Sequence, residues 1–136
     1  MCGLYAFTLI DKLFECYIIT HPVLILDLLW NKDRQRGERI INARSETAAN
    51  APLFKQAFLT RRCLIPATGF YEWAKADGRT QPYYIHLTTE PVFSFAGLYD
   101  TFTDKDGKEH KVYTILTTRP NRLLAPIHNR MPVILH

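Results

Sequence analysis

The chain carries no Gly-rich phosphate loop, no Walker motif and no Gly-x-Ser-x-Gly, which removes nucleotide hydrolases and the usual serine hydrolases from consideration. Metal-ligand spacing is missing as well. There is no Cys-x-x-Cys or His-x-x-x-His, and His21, His86, His110, His128 and His136 are scattered, so neither a metal site nor any other cofactor is expected. Cysteine is scarce: Cys2, Cys16 and Cys63 cannot all pair, and the last two sit beside Tyr17, Ile18, Leu64 and Ile65, so they read as reduced, small hydrophobes. That favours a reducing cytoplasm. No apolar run is long enough to cross a membrane, because Asp11, Lys12, Glu15, His21, Pro22 and Asp27 interrupt the greasy stretch from Leu4 to Trp30, and no basic segment precedes it as secretion requires. Repeats, low-complexity tracts and interdomain linkers are absent, so residues 1–136 are expected to form one domain, large enough to bury a core without disulfide or metal staples.

What the sequence does contain is an uneven basic charge. The formal net charge is +4. Residues 31–62 hold Lys32, Arg34, Arg36, Arg39, Arg44, Lys55, Arg61 and Arg62 against Asp33, Glu38 and Glu46, and from Val112 onward Arg119, Arg122 and Arg130 meet no acidic residue. Most of the basic residues are Arg, whose planar fork matches phosphate oxygens, so an anionic and nucleic-acid partner is compatible with the charge. A solvated basic surface explains the same composition.

Ile10, Leu13, Phe14, Tyr17 and Ile18 follow helical spacing, which predicts a helix over 9–19 closed by Pro22. Val23 to Trp30 suits a buried strand or a second helical piece, and Asn31 to Arg39 a loop. Ile40 and Ile41 lead into Asn42 on a strand; Glu46–Ala51 and Pro52–Leu59 suit helical turns, with Ser45 as N-cap and Pro52 in a first turn. Beyond Arg62 the pattern turns to strands at Cys63–Ile65, Phe70–Ala74, Tyr83–Leu87, Val92–Tyr99 and Lys111–Thr117, with Asp77-Gly78 and Asp106-Gly107 as hairpin turns. Asn121–Leu124 predicts one helical turn and Met131–Leu135 a last strand. The fold class expected is α+β: predominantly antiparallel sheets around a barrel-like core, with a few flanking helices.

Four places in the chain could carry chemistry. Removal of Met1 would make Cys2 a 1,2-aminothiol, an amine and a thiol pre-positioned to close a five-membered thiazolidine on an aldehyde; the alternative is a small residue near a terminus. Glu72 stands among aromatics in Gly69-Phe70-Tyr71-Glu72-Trp73, and a carboxyl in apolar surroundings can hold and relay a proton. Strand alternation also allows it to face water with Tyr71 and Trp73 on the opposite side. His128 lies in an irregular stretch bounded by Pro126 and Pro132, where a loop can present an imidazole to a sugar or aldehyde oxygen or simply to solvent. Asn42 and Arg44, two apart on a strand, would share a face and could hold a sugar oxygen and a phosphate, with Glu46 a possible neutralising neighbour of Arg44.

Met1-Cys2-Gly3, Ile41-Asn42-Ala43-Arg44-Ser45-Glu46-Thr47, Arg62-Cys63-Leu64-Ile65-Pro66-Ala67 running into Gly69-Phe70-Tyr71-Glu72-Trp73, and Ile127-His128-Asn129-Arg130-Met131-Pro132 together resemble the SRAP family, the SOS response-associated peptidases or abasic site processing proteins. The resemblance covers residues 1–3 and most of 38–135, with the segment 4–37 shorter than the family usually has and the end of the chain earlier, which implies a shortened member. It implies a protein of the DNA damage response that binds single-stranded DNA at abasic sites and crosslinks the ring-opened sugar through Cys2 after self-processing or removal of Met1. Asn42 would orient the amine or sugar, Arg44 would hold a phosphate, Thr117 would contact the lesion strand, and Glu72 and His128 would handle protons. The expected protein is a cytoplasmic monomer, nucleoid-associated when on DNA, without metal or cofactor. The competing readings are a non-catalytic single-stranded DNA binding module and a thiol peptidase using Cys2 and His128, the latter without a separate oxyanion-hole signature.

Overall fold

The structure is a computed structural model and describes Leu4–Ala6, 40–103 and 106–135. The expected helix over 9–19, the run from Val23 to Trp30 and the loop to Arg39 lie outside the described residues. Among the described residues the elements in chain order are β1 (Leu4–Ala6), β2 (Asn42–Arg44), α1 (Ser45–Ala48), α2 (Lys55–Thr60), β3 (Arg62–Ala67), β4 (Gly69–Ala76), β5 (Arg79–Ile85), β6 (Phe93–Thr103), β7 (Glu109–Thr118), β8 (Met131–Pro132) and β9 (Ile134–Leu135). The fold is α+β, strand-rich with short helices, as the sequence predicts. No helix among the described residues is long and apolar enough to cross a membrane.

Two sheets form. The smaller runs β1-β4-β5, all antiparallel; the larger runs β2-β7-β6-β3, with β8 on β7 and β9 on β6. Asp77 and Gly78 both adopt positive φ, 50° and 73°, the backbone of a two-residue type I′ turn, and the flanking Ala76 and Arg79 pair directly. That turn fixes the register of the whole β4–β5 ladder and sets Glu72 opposite Tyr83. β6 and β7 pair from Gly97 and Ile115 out to Thr103 and Glu109, and the C-terminal segment then enters between their inner ends: β8 takes Thr117 and Thr118, β9 takes Ser94 and Phe95. The single last strand expected from sequence is thus two short pieces, because Val133 donates to the Leu116 carbonyl while its own carbonyl accepts from Ala96.

The helices begin where the ladder releases the chain. Arg44 is still extended and paired with Thr117, so α1 starts at Ser45 without a side-chain cap, and Ser45 is a helical residue instead of the expected N-cap. Pro52 occupies the turn between the helices, not a helical first turn. Asn121 caps its own turn, its Oδ1 accepting from the backbone of Leu123 and Leu124, which accounts for the helical turn read there.

The larger sheet is buried on both faces. Alternate residues split the core: Ala43, Leu98, Val112 and Leu116 pack with Ala48, Phe54 and Ala57 of the helical segment, while Ile115, Phe93 and Phe95 pack with Ala67, Phe70 of β4 and Leu124. Phe95 meets both Phe93 and Phe70 edge to face, at centroid distances of 5.2 and 5.8 Å. The chain passes between sheets at Thr68. Gly69, immediately after that bend, lies beneath the Tyr84 ring, where a Cβ would approach ring atoms to 2.5 Å, and Tyr84 donates to Thr68 Oγ1 at 3.4 Å.

Candidate functional site

The face of the larger sheet that meets β4 also presents the predicted binding residues. β2 runs parallel to β7 with Asn42, Ala43 and Arg44 opposite Ile115, Leu116 and Thr117. Ala43 and Leu116 belong to the core on the helical side, whereas Ile115 packs against Phe70 of β4. Alternation therefore sends Asn42, Arg44 and Thr117 toward the β4 side. Arg44 is exposed at the end of its strand.

Glu72 follows Phe70 by two residues and turns inward with it, being 1% exposed, while Trp73 on the opposite side is 37% exposed. The water-facing alternative is thereby excluded. Neither Glu72 carboxyl oxygen has a hydrogen-bond partner among the described residues. Buried polar atoms are ordinarily paired, so this carboxyl stands out among the described residues. His128 Nδ1 lies 3.9 Å from Glu72 Oε1, beyond hydrogen-bond length but within coulombic reach when the imidazole is protonated.

The main chain of Arg130 serves His128 in both protonation states. Its N–H lies 3.1 Å from Nδ1 and donates to it when the neutral ring carries its proton on Nε2, and its carbonyl lies 3.1 Å from the same nitrogen, placed to accept when Nδ1 carries the proton. The Arg130 side chain reaches elsewhere. Its guanidinium donates to both oxygens of Glu46, at 2.8 and 2.9 Å, to the Thr117 carbonyl at 2.6 Å and to Thr117 Oγ1 at 3.2 Å. Thr117 Oγ1 in turn donates to the Ala43 carbonyl at 3.4 Å. The guanidinium beside it holds the Glu46 carboxyl down to about 2, first through its hydrogen bonds, then with a backbone hydrogen bond at Glu46 itself, the charges of Arg130 and Arg119 adding less. Sequence proximity suggests Glu46 as a neighbour for Arg44; in the structure Glu46 pairs with Arg130, because α1 carries it out of line with the extended Arg44 and the Arg130 fork meets both its oxygens.

The structure thus brings Glu72, His128 and Thr117 around one side of β7, with Asn42 and Arg44 on the adjacent strand; Cys2 lies outside the described residues. Sequence reasoning passes over the Glu46–Arg130–Thr117 linkage, although Arg130 sits inside the His128 block and Glu46 inside the Asn42 block. No group of three or more metal-ligating side chains occurs among the described residues.

Comparison with known proteins identifies the family. The family profile "SOS response associated peptidase (SRAP)" matches residues 26–136. The chain belongs to the SRAP family. Within that family it is similar to "Abasic site processing protein YoqW" of Bacillus subtilis strain 168, 45% identical over 107 residues that make up 78% of this chain and 48% of that protein. It is likewise similar to "Abasic site processing protein YedK" of Escherichia coli K12, 34% identical over 97 residues covering 71% of this chain and 43% of that one. This SRAP chain spans about half the length of the bacterial relatives it matches. A crystal structure of a protein from Bacteroides thetaiotaomicron, 38% identical, superposes with a TM-score of 0.72 over 83% of this chain and 51% of that one. Another from Bordetella bronchiseptica, at 22% identity and a TM-score of 0.80 over 99% of this chain and 84% of that one, shares the fold.

Proposed function

We propose that this SRAP chain processes abasic lesions by binding single-stranded DNA and, once Met1 is removed, capturing the ring-opened sugar aldehyde through Cys2 as a covalent thiazolidine. The α-amine adds to the aldehyde carbon, water leaves to give an imine, and the Cys2 thiol adds across the C=N bond, its proton passing to nitrogen, so the adduct forms with net loss of one water. The observation that carries the proposal is the register of β1. Leu4, two residues after Cys2, pairs with Tyr71, the neighbour of Glu72. Two residues of chain span at most about 7 Å, and in the proposed mechanism that separation is what would let Cys2 reach the strand that carries the buried carboxyl.

Asn42 orients the amine or sugar and Arg44 holds a flanking phosphate in this mechanism. Glu72 accepts and returns the proton of the attacking amine, and His128 donates from Nε2 to the sugar oxygen during ring opening. Thr117 lines the path of the lesion strand. The names of the relatives support an abasic-site substrate, and the buried Glu72, without a hydrogen-bond partner among the described residues and beside His128, supports proton handling.

Mass spectrometry of the purified protein with and without an abasic oligonucleotide tests the mechanism. Loss of Met1 and an adduct one water lighter than the sum of the parts are expected, with Cys2→Ala abolishing the adduct while leaving salt-sensitive binding largely intact. Full crosslinking by Cys2→Ala would falsify the assigned chemistry. Retained Met1, with binding but no adduct, would instead leave a non-catalytic DNA-binding module.

A further inference from the structure

We propose that Glu46 is a positioning residue for His128: by gripping the Arg130 guanidinium it fixes the 128–130 loop whose main chain orients the imidazole against Glu72. The inference rests on the crosslinking mechanism above for its effect on rate, but its structural part stands on the contacts alone. Three residues meet on Arg130. Its side chain ties the first turn of α1, through Glu46, to β7, through Thr117, and its backbone holds His128 Nδ1. A surface ion pair as exposed as this one adds little to stability, so strength alone does not explain the arrangement.

Geometry does. Glu46 follows Arg44 by two residues, and Arg130 follows His128 by two. The fork between them therefore locks the end of the strand bearing the phosphate-side Arg44 to the loop bearing the proton-side His128, across 84 residues of sequence. Two parallel N–H···O bonds define an orientation as well as a distance, which a single contact from Lys cannot reproduce. The Arg130 Nε is buried without a hydrogen-bond partner among the described residues, where the guanidinium is placed by its two terminal nitrogens. Without Glu46, Thr117 is the one remaining hydrogen-bond partner of the side chain among the described residues. The backbone keeps the bond from the His128 N–H to the Leu124 carbonyl and the pairing of Met131 with Thr118, so the freedom gained is local to Asn129 and Arg130, and the Arg130 N–H no longer holds Nδ1 in a single arrangement.

The test uses the full chain as Glu46→Gln and Arg130→Lys, with His128→Ala as reference, and reads two quantities. Nitrogen-15 NMR of the imidazole reports the tautomer directly: the wild type should show Nε2-protonated neutral His128, and both variants should move toward the mixture of a free histidine. Crosslinking to an abasic oligonucleotide should slow about tenfold or more in both variants, while affinity for an undamaged single strand changes less than twofold, since misplaced groups lose rate more than binding. Imidazole signals in Glu46→Gln identical to the wild type overturn the proposal, as does an unchanged crosslinking rate beside a shifted tautomer. If the wild type forms no adduct, the crosslinking mechanism fails, and the NMR comparison alone then decides whether Glu46 positions His128.

Discussion

His128 Nδ1 and Glu72 Oε1 stand 3.9 Å apart although one residue lies on a loop after β7 and the other on the central strand of the smaller sheet. The two are held by independent scaffolds, Glu72 by the β4–β5 ladder and His128 by the Arg130 backbone. In the proposed aldehyde capture protons move both ways, the amine losing one while the leaving water gains one, and two proton-handling groups side by side suit that traffic.

Glu72→Gln keeps the shape of the side chain and removes its ability to take a proton. The rate of adduct formation should fall by about 10²–10⁴-fold, the usual weight of a positioned acid or base. Thermal stability should not drop, since the substitution removes a buried carboxyl that has no hydrogen-bond partner among the described residues. A denaturing gel time course and a melting curve read the two effects. Wild-type rates in the variant would take the proton role away from Glu72.

The Glu46–Arg130 pair makes stability depend on pH in a defined direction. Folding lowers the Glu46 carboxyl from an ordinary 4.5 to about 2. A lowered acid contributes stability that is fully present above the unfolded value and is lost as pH falls through the folded one. The wild type should therefore unfold at higher urea than Glu46→Gln at pH 7, with the gap closing between pH 4.5 and 2. Exposure keeps the gap small at all pH values, and a gap that widened on acidification would contradict the pairing.

The strands, the Asp77-Gly78 turn and the α+β class were legible because each is written in neighbouring residues: period-two alternation from Phe70 to Trp73, or a dipeptide that tolerates positive φ. The face of Glu72 was not legible, since alternation pairs it with Phe70 but does not say which side the core occupies. That is settled by Phe95 and Ile115, which arrive from β6 and β7. The partner of Glu46 was hidden for the same reason. Local spacing offers Arg44, whereas Arg130 reaches Glu46 only through the parallel β2–β7 pairing and the return of the chain after Leu124. Splitting of the last strand likewise follows from the divergence of β6 and β7, which no pattern within Met131–Leu135 encodes.

Cys63 should be chemically silent under conditions where an exposed thiol reacts. It lies along an apolar groove of about 350 Å³ with Leu64, Ala96, Leu116 and Leu135, so close to Gly97 that a Cβ there would stand 3.1 Å from its sulfur. Burial pushes the thiol from an ordinary 9.0 up to about 11. At pH 7.5 almost none is thiolate, and peptide mapping after brief iodoacetamide treatment should leave Cys63 unmodified in folded protein. The sign of the linked effect is opposite to that of Glu46: the stability from keeping this thiol neutral is intact below pH 9 and is lost as pH rises toward 11. Rapid alkylation of Cys63 at neutral pH would contradict the raised thiol.

Arg44 tests the binding side separately from the chemistry. It is exposed at the end of β2 beside Thr117, and Glu46, the nearest acidic side chain in sequence, is taken by Arg130. Among the described residues its charge has no ion-pair partner, which suits the phosphate contact proposed for it. Arg44→Ala should weaken binding of single strands of any sequence and lower the salt slope of the affinity by about one counterion, as loss of one phosphate contact does. Arg44→Lys should recover most of the slope, because the counterion effect follows charge, yet recover the crosslinking rate only in part, because one ammonium does not orient the flanking phosphate as a planar fork does. Fluorescence anisotropy at several salt concentrations separates these outcomes, and a slope unchanged in Arg44→Ala would remove this residue from the DNA contact.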